Sequence, residues 1–365
     1  MTKARELADL IANVNNGSSL AAKNFIINGN MISAQRGSVS KSANSYGYTL
    51  DQWELSNYID DTITVTQDSD TPTGQGFANS MKITGSSGDN SLDASDYLSM
   101  VHKFEGQNIQ SLKKGTSSAV PMTFSFWIKA TTTGTYIVEF ADNDNTRKVS
   151  KSYTVSSTNT WEYKTITVEA DTTGAFADIN NTSLWIQMWF AAGSNFTGGS
   201  LNSSWTASTA TNTRVVGQVN GMSSGSHNIY LTGVQLEIGE KATEFEHEPY
   251  ERTLSKCQRY YTRWQADSAY DGFAIGYWLV TTQFYGMYEL PVQMRQEPTI
   301  AIGGSFVIHS NGADTTIGSL IVNRATPSNV QTYSDQSSYA GTAGYAGAYR
   351  TNNDNDAYVE FKAEL

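Results

Sequence analysis

The feature that most constrains this chain is a succession of short runs rich in β-branched and aromatic residues, each ended by turn-forming residues. The runs are SMKITG (80–85), PMTFSFWIKA (121–130), TYIVEFA (135–141), EYKTITVEA (162–170), SLWIQMWFAAG (183–193) and NIYLTGVQLEIG (228–239). Between them lie clusters such as ATTTGT (130–135), ADNDNT (141–146) and SSTNT (156–160). Asn, Asp and Gly favour turns because their side chains cap the backbone or permit left-handed conformations. Several runs alternate with period two: Phe124, Phe126 and Ile128 fall on one face, with Thr123, Ser125 and Trp127 on the other. Alternation without a helical period predicts half-buried strands, and many such strands predict an antiparallel sandwich. The long Ser/Thr/Gly stretch from Gly193 to Thr213 reads as loop.

The organisation follows from where this pattern changes. Leu7, Leu10, Ile11 and Val14 make one apolar stripe, so residues 1–20 predict a short helix stopped by Asn15, Asn16 and Gly17. So short a helix is marginal alone and gains stability by pairing with copies of itself. Residues 21–250 predict the β-sandwich. A boundary is expected near Glu246–Arg252, where Pro249 and a charge cluster precede a candidate helical turn. Residues 251–365 predict a second, smaller β unit, with strand candidates FAIGYWLVTTQF (273–284), YGMYELPV (285–292), TIAIGGSFVI (299–308) and AYVEFKAEL (357–365). The expected fold is therefore all-β: an antiparallel jelly-roll sandwich, then a smaller β knob, with a short N-terminal helix.

Charge and composition narrow the function. The formal net charge is −11, and no basic patch interrupts it, so no nucleic-acid partner is expected. No stretch has the apolar length that spans a bilayer, so no membrane insertion is expected. Residues 1–14 lack the apolar centre and cleavage site of a secretory leader. The single cysteine, Cys257, excludes an internal disulfide and reads as a small buried hydrophobe beside Tyr260 and Tyr261. With only 16% charged residues, the surface must be built from Ser, Thr, Asn, Gln and Gly. That mixture, with 20 Tyr and 8 Trp, suits sugar recognition by stacking and amide hydrogen bonds, and suits a plain β-rich surface equally.

Catalytic and metal motifs are weak. His102, His227, His247 and His309 are scattered without zinc-ligand spacing, so no metal is expected from them. Gly221–Gly225 (GMSSG) matches a nucleophile elbow formally, but a strand candidate follows where the motif needs a helix, so it reads as a turn. Asp142 with Asp144, and Asp354 with Asp356, sit in Asn/Asp/Gly turns. Turn chemistry is the simpler account. Such oxygen-rich loops are also candidate Ca²⁺ ligands, and paired carboxylates can run glycoside hydrolysis. No catalytic residue is assigned, and no cofactor is expected apart from that candidate Ca²⁺.

One run of residues carries a family pattern. NFIINGNMISAQRG (24–37) followed by TLDQWEL (49–55) resembles the opening of a family of bacteriophage tail-fibre proteins, with Asn24, Asn28, Gly29, Asn30, Gln35, Arg36, Gly37, Asp51 and Trp53 as the matching positions. FSFWIKATTTGTYIVEF (124–140) and NTWEYKTITVEADTTG (159–174) are similar to the carbohydrate-binding-module-like jelly roll of those proteins. LTGVQLEIGEKATEFEHEPYERTLSKCQRYY (231–261) and AYVEFKAEL resemble its closing strand, exit segment and terminal knob strand. The resemblance implies a homotrimeric receptor-binding protein of the virion tail fibre, joined to other phage tail proteins. It would be an adhesin for a bacterial surface glycan or outer-membrane protein, and not an enzyme. The chain would be a separate short fibre, an adaptor-borne tip or a fragment. From the residues themselves, Gly29 and Gly37 are expected at backbone conformations closed to other residues. Arg36 is expected to bridge Asp51, and Trp53 and Trp127 to be core aromatics.

The strongest binding candidate is the segment YSDQSSYAGTAGYAGAYRTNNDND (333–356). Tyr333, Tyr339, Tyr345, Tyr349 and Arg350 sit there among small residues, a mixture that gives rigid contact area at low entropic cost. The same tyrosines could instead pack at a trimer axis. Trp264 and Trp278 are secondary candidates. Two alternatives to the adhesin stand beside it: a polysaccharide-depolymerase tailspike, and a purely structural virion spacer. A carbohydrate-binding module detached from its enzyme is a third, and would be monomeric.

Overall fold

The computed structural model describes residues 24–365 except 209, 318–319 and 337–340. The N-terminal helix and Tyr339 lie outside the described residues. The chain divides into two compact units, residues 1–248 and 249–365.

Among the described residues the first unit holds thirteen strands: β1 (Val39–Lys41), β2 (Ser45–Tyr48), β3 (Trp53–Asn57), β4 (Ile63–Asp68), β5 (Ser80–Gly85), β6 (Tyr97–Glu105), β7 (Met122–Ala130), β8 (Gly134–Asp142), β9 (Arg147–Val155), β10 (Glu162–Val168), β11 (Thr182–Ala192), β12 (Thr206–Ala207) and β13 (Asn228–Ile238). They form two antiparallel sheets, in the order β1-β4-β5-β13-β7-β10 and β12-β9-β8-β11-β6-β3-β2. Successive strands repeatedly change sheet, which makes this a jelly-roll sandwich and not a meander. The alternation in β7 sets the packing. Phe124 and Phe126 point inward and meet Phe140 of β8 and Tyr153 of β9 edge-to-face, at 5.7 and 5.1 Å between ring centres. Each large side chain buried in such a core contributes roughly 1.5–3 kcal/mol of transfer free energy.

The outer faces of the two sheets differ. The second sheet is partly covered by the segment that follows β11. Phe196 and Val215 pack there on Trp189 and Ile137 in a small separate cluster. Arg214 pins the segment: its guanidinium donates to both oxygens of Glu139 (2.9 and 2.6 Å) and lies 4.7 Å from the Trp189 ring centre. The predicted loop is thus a folded cover. Among the described residues, the first sheet's outer face is covered only in part, by the loops that carry Phe77 and Phe245.

The family-like opening segment is a hydrogen-bonded junction. Asn24 donates from Nδ2 to the Val234 carbonyl, and its Oδ1 accepts from Leu236 N. Asn28 donates to the carbonyls of Ser33 and Asp51. Buried Asp51 accepts from Ser33 Oγ at 2.5 Å and faces Arg36 at 3.8 Å, so the expected salt bridge is present. Gly37 has the expected positive φ of 67°. Gly29 does not; it is required because a Cβ there would lie 2.0 Å from the Val234 carbonyl oxygen.

The second unit starts with the helix Tyr250–Gln258, which buries Cys257. Among the described residues ten strands follow: β14 (Tyr261–Gln265), β15 (Gly272–Val280), β16 (Gln283–Glu289), β17 (Thr299–Gly303), β18 (Phe306–Ser310), β19 (Ala313–Ile317), β20 (Ile321–Ala325), β21 (Asn329–Asp335), β22 (Ala346–Thr351) and β23 (Tyr358–Lys362). They form a three-stranded sheet, β14-β23-β17, and a seven-stranded sheet, β19-β18-β22-β15-β16-β21-β20. Two expected strands are in fact pairs. FAIGYWLVTTQF holds β15, a turn at Thr281–Thr282 and the start of β16. TIAIGGSFVI breaks at Gly304, at φ +91°, so that β17 and β18 enter different sheets.

Candidate functional site

The outer face of the first sheet carries the arrangement best suited to a ligand. Its outward side chains come from the polar positions of β5, β7, β10 and β13. Register sets Trp127 opposite Tyr163 and Thr232, and Lys129 opposite Tyr230, which faces Lys82. A groove of about 520 Å³ crosses this face. Trp127, Ser125 and Gly233 lie on its strands, with Tyr163 beside them. Phe77, Phe245 and His247 form a second wall from two loops, with ring centres 5.0–5.2 Å apart. Gly233 sits at a bulge with φ +61°, and a Cβ there would meet the Phe77 ring at 2.6 Å and Trp127 at 3.1 Å. Small size at that position keeps the groove open. Gln75, Ser125 and Glu244 also line it, and none of these three side chains hydrogen-bonds to another described residue. Aromatic walls with a few uncommitted polar groups are the usual make-up of a small-molecule or sugar site.

One row along the same face, Trp161 meets Tyr230 edge-on, with ring centres 6.2 Å apart. Lys129 lies 4.2 Å from the Tyr230 ring centre and pairs with Asp70, which also accepts from Trp161 Nε1 at 3.0 Å. Burial would raise the Asp70 carboxyl, but the hydrogen bonds from Lys129 and Trp161 outweigh it and hold it below the usual carboxylate value. The groove thus continues into an aromatic surface whose charges are already paired. A larger hollow, about 920 Å³, lies in the second unit between β17 and β20, but it mixes aliphatic Ile300, Ile321 and Val322 with Glu297, Asn323 and Arg324 and has no aromatic ring.

The sequence candidates scatter. Tyr349 is a core residue: it is fully buried, its hydroxyl donates to the Phe284 carbonyl at 2.9 Å, and Phe273 and Phe284 flank its ring. Trp278 is buried against Phe284. Neither has surface to offer a ligand, because the alternation of β15 and β22 turns both inward. Trp264 is half-buried against Phe273. Arg350 is committed to Asp314, donating at 2.7 and 2.8 Å, and lies 5.0 Å from the Tyr270 ring centre. Tyr345 is exposed in the turn before β22. Tyr333 is half-exposed on the outer face of the seven-stranded sheet. There it stacks on Tyr285 (5.5 Å), which stacks on Tyr277 (6.3 Å). Ile275 and Met287 are paired neighbours on that face, and Ile275 is 77% exposed. The structure therefore brings Tyr333 together with Tyr277 and Tyr285, not with Tyr345, Tyr349 and Arg350.

The catalytic and metal candidates sit in turns and in a buried ion pair. Ser223 lies in a turn before β13, with its hydroxyl 3.4 Å from His227 Nδ1. Asp354 accepts from the backbone N–H groups of Ser305 and Asp356, and Asp144 from that of Ala177, as turn carboxylates do. Asp142 is buried against Lys114. Among the described residues no cluster of three or more His, Cys, Asp or Glu could hold a metal. Among them, also, no helix is long and apolar enough to cross a membrane.

No protein-family model and no curated protein matches the chain. Among solved structures it is similar to the enzymatically active domain of tailspike protein 4 of bacteriophage CBA120, at 14% identity over 59% of this chain and 21% of that one, with a TM-score of 0.31. It is also similar to TmCBM61 in complex with β-1,4-galactotriose, at 9% identity over 60% of this chain and 100% of that one, TM-score 0.29. A family 11 carbohydrate-binding module of cellulase Lic26A-Cel5E of Clostridium thermocellum matches at 13% over 56% and 97%, TM-score 0.27. This chain spans about a fifth of the tailspike structure. Likenesses this weak assign no ligand to this chain.

Proposed function

We propose that this protein is a non-catalytic attachment protein of a bacteriophage tail, a homotrimer that binds a bacterial surface glycan. The observation that carries the glycan part is the groove over Gly233: Trp127 and Tyr163 offer ring faces, and Gln75, Ser125 and Glu244 offer unspent hydrogen-bonding groups. Ring faces hold the apolar side of a sugar while polar groups select its hydroxyls. A groove on an outer sheet face gives a modest site, and several copies on one particle would turn weak contacts into firm attachment through effective concentration. The tail-fibre part is supported by the family-like residues from Asn24 to Trp53. The trimer is supported by the face of Tyr277, Tyr285, Tyr333, Ile275 and Met287: an uncharged apolar surface in a chain of net charge −11 is where copies repel one another least.

A fluorescent fusion of the whole protein is titrated onto cells of a bacterial panel and onto their purified envelope polysaccharides. Trp127→Ala should weaken polysaccharide binding at least tenfold, about 1.4 kcal/mol, while the mass by light scattering stays at three chains. Binding unchanged in both Trp127→Ala and Tyr163→Ala would remove the groove from the account. A monomeric mass would remove the trimer. Release of reducing ends would make the protein a depolymerase.

A further inference from the structure

Three loops of the first unit converge on one ammonium group. Lys114, next to the turn that follows Leu112, sends its Nζ to Asp142 Oδ2 at 2.5 Å, at the end of β8. The same Nζ lies 3.0 Å from Asp171 Oδ2 and 2.8 Å from each of the Thr173 and Gly174 carbonyl oxygens, all beyond β10. The lysine side chain is 5% exposed and the two carboxylate side chains 0% and 4%. Each carboxylate is fixed independently. Asn145 donates to both oxygens of Asp142 from Nδ2, and from its backbone N–H to Oδ1. Arg147 donates to both oxygens of Asp171. Burial raises the Asp171 carboxyl, but the hydrogen bonds from Arg147, Lys114 and Thr173 together bring it below the usual value. The Phe176 and Trp205 rings, 5.2 and 5.4 Å from Nζ, flank the remaining sides.

An ammonium has three protons to donate, yet four oxygens surround it. Two carboxylates and two backbone carbonyls at this range are the ligand types of a hard cation. A spherical ion accepts more oxygens than an ammonium can serve, and calcium takes six to eight of them in flexible geometry. Two acidic groups faced by Lys114 and Arg147 make a neutral set, and deleting the lysine charge leaves one negative charge buried. We propose that this junction is a calcium-type cation site whose cation is the chain's own Lys114 ammonium, so that the three loops are tied without an ion from solution. The candidate Ca²⁺ of the Asp142 turn is thereby replaced by a tethered group.

The test is thermal unfolding of the full chain in EDTA, 10 mM CaCl₂ or 10 mM MgCl₂, concentrations about ten times a millimolar dissociation constant and so worth about 1.4 kcal/mol. Wild type should melt at the same temperature in all three. Lys114→Ala should melt well below wild type in EDTA and regain about 5 °C in CaCl₂, with less in MgCl₂, which demands a stricter octahedron. Lys114→Met fills the stem's channel and should show no calcium response. A folded Lys114→Ala variant indifferent to calcium would overturn the proposal, as would a wild type destabilised by EDTA. Should Lys114→Ala fail to fold as expressed, it is refolded from urea in each buffer. Recovery only with calcium supports the site, and failure in every buffer, or recovery equal in EDTA, overturns it.

Discussion

Lowering the pH should loosen the first unit through one histidine. His102 of β6 is buried, its ring 5.0 Å from that of Trp53 and 4.8 Å from that of Phe104. Nε2 lies 3.2 Å from both the N–H and the carbonyl oxygen of Ile27, and Nδ1 has no hydrogen-bond partner among the described residues. Burial among rings disfavours the imidazolium and pushes its pKa down from the ordinary 6.5 to about 4; the Ile27 contact opposes this only in part. The unfolded chain therefore takes up a proton near pH 6.5, and the folded chain only near pH 4. Between those values protons favour unfolding, so the stability is fully present above pH 6.5 and falls as the pH drops towards 4. Two and a half decades of proton affinity amount to about 3 kcal/mol when the fall is complete, of which about 2 kcal/mol is lost by pH 5.

Urea unfolding followed by tryptophan emission at pH 7.5 and pH 5.0 measures this directly, with His102→Gln as the reference. The variant keeps a side-chain amide for Ile27 and has nothing to titrate in this range. Whatever the substitution costs at pH 7.5, wild type should lose about 2 kcal/mol more than the variant on going to pH 5.0. Equal losses would refute the argument, because carboxylates shared by both proteins would then account for the whole pH dependence.

Two further substitutions test the packing described above. Tyr349→Phe removes the hydroxyl that serves the Phe284 carbonyl and should cost the second unit about 1 kcal/mol; Tyr349→Ala should cost roughly 3–5 kcal/mol. In both, cell attachment should fall only as the folded fraction falls, and weakened attachment by a fully folded Tyr349→Phe protein would return this residue to the binding surface. Arg214→Ala removes both guanidinium hydrogen bonds from the buried Glu139 carboxylate and leaves it only Lys148, at 3.8 Å, so it should cost about 3 kcal/mol, the low end for breaking a buried pair, with new protease cleavage between residues 193 and 218; an unchanged digestion pattern would mean that the cover is held by its apolar contacts alone.

The strands that alternate strongly are the ones the sequence displays. β5, β7, β8, β11 and β13 coincide, to within one residue at either end, with the runs of β-branched and aromatic residues. β9 (RKVSKSYTV) alternates polar residues on one face, and β20 (IVNRA) is an edge strand exposed on both faces, so neither stands out. The hairpin of β15 and β16 is hidden because Thr281 and Thr282 carry no glycine, asparagine or proline to mark a turn. Density of tyrosine in 333–356 pointed to a single patch, but strand parity divides it. On β22, Tyr349 shares the inward parity with Thr351 and faces the core, while Tyr333 on β21 faces out.

The same parity explains the groove. Its central residue, Trp127, reads as core by side-chain type, yet Phe124, Phe126 and Ile128 occupy the inward positions of β7 and leave Trp127 on the outer face. Composition argued for burial and period argued for exposure, and in a strand packed on one side the period must win, because a one-residue slip would turn three core side chains into solvent. What sequence alone could not supply is the other wall. Phe77 and Phe245 are 168 residues apart in number and reach Gly233 only because β13 lies between β5 and β7. A bulge at a glycine, with rings on both sides, is a property of that pairing and of no local run of residues.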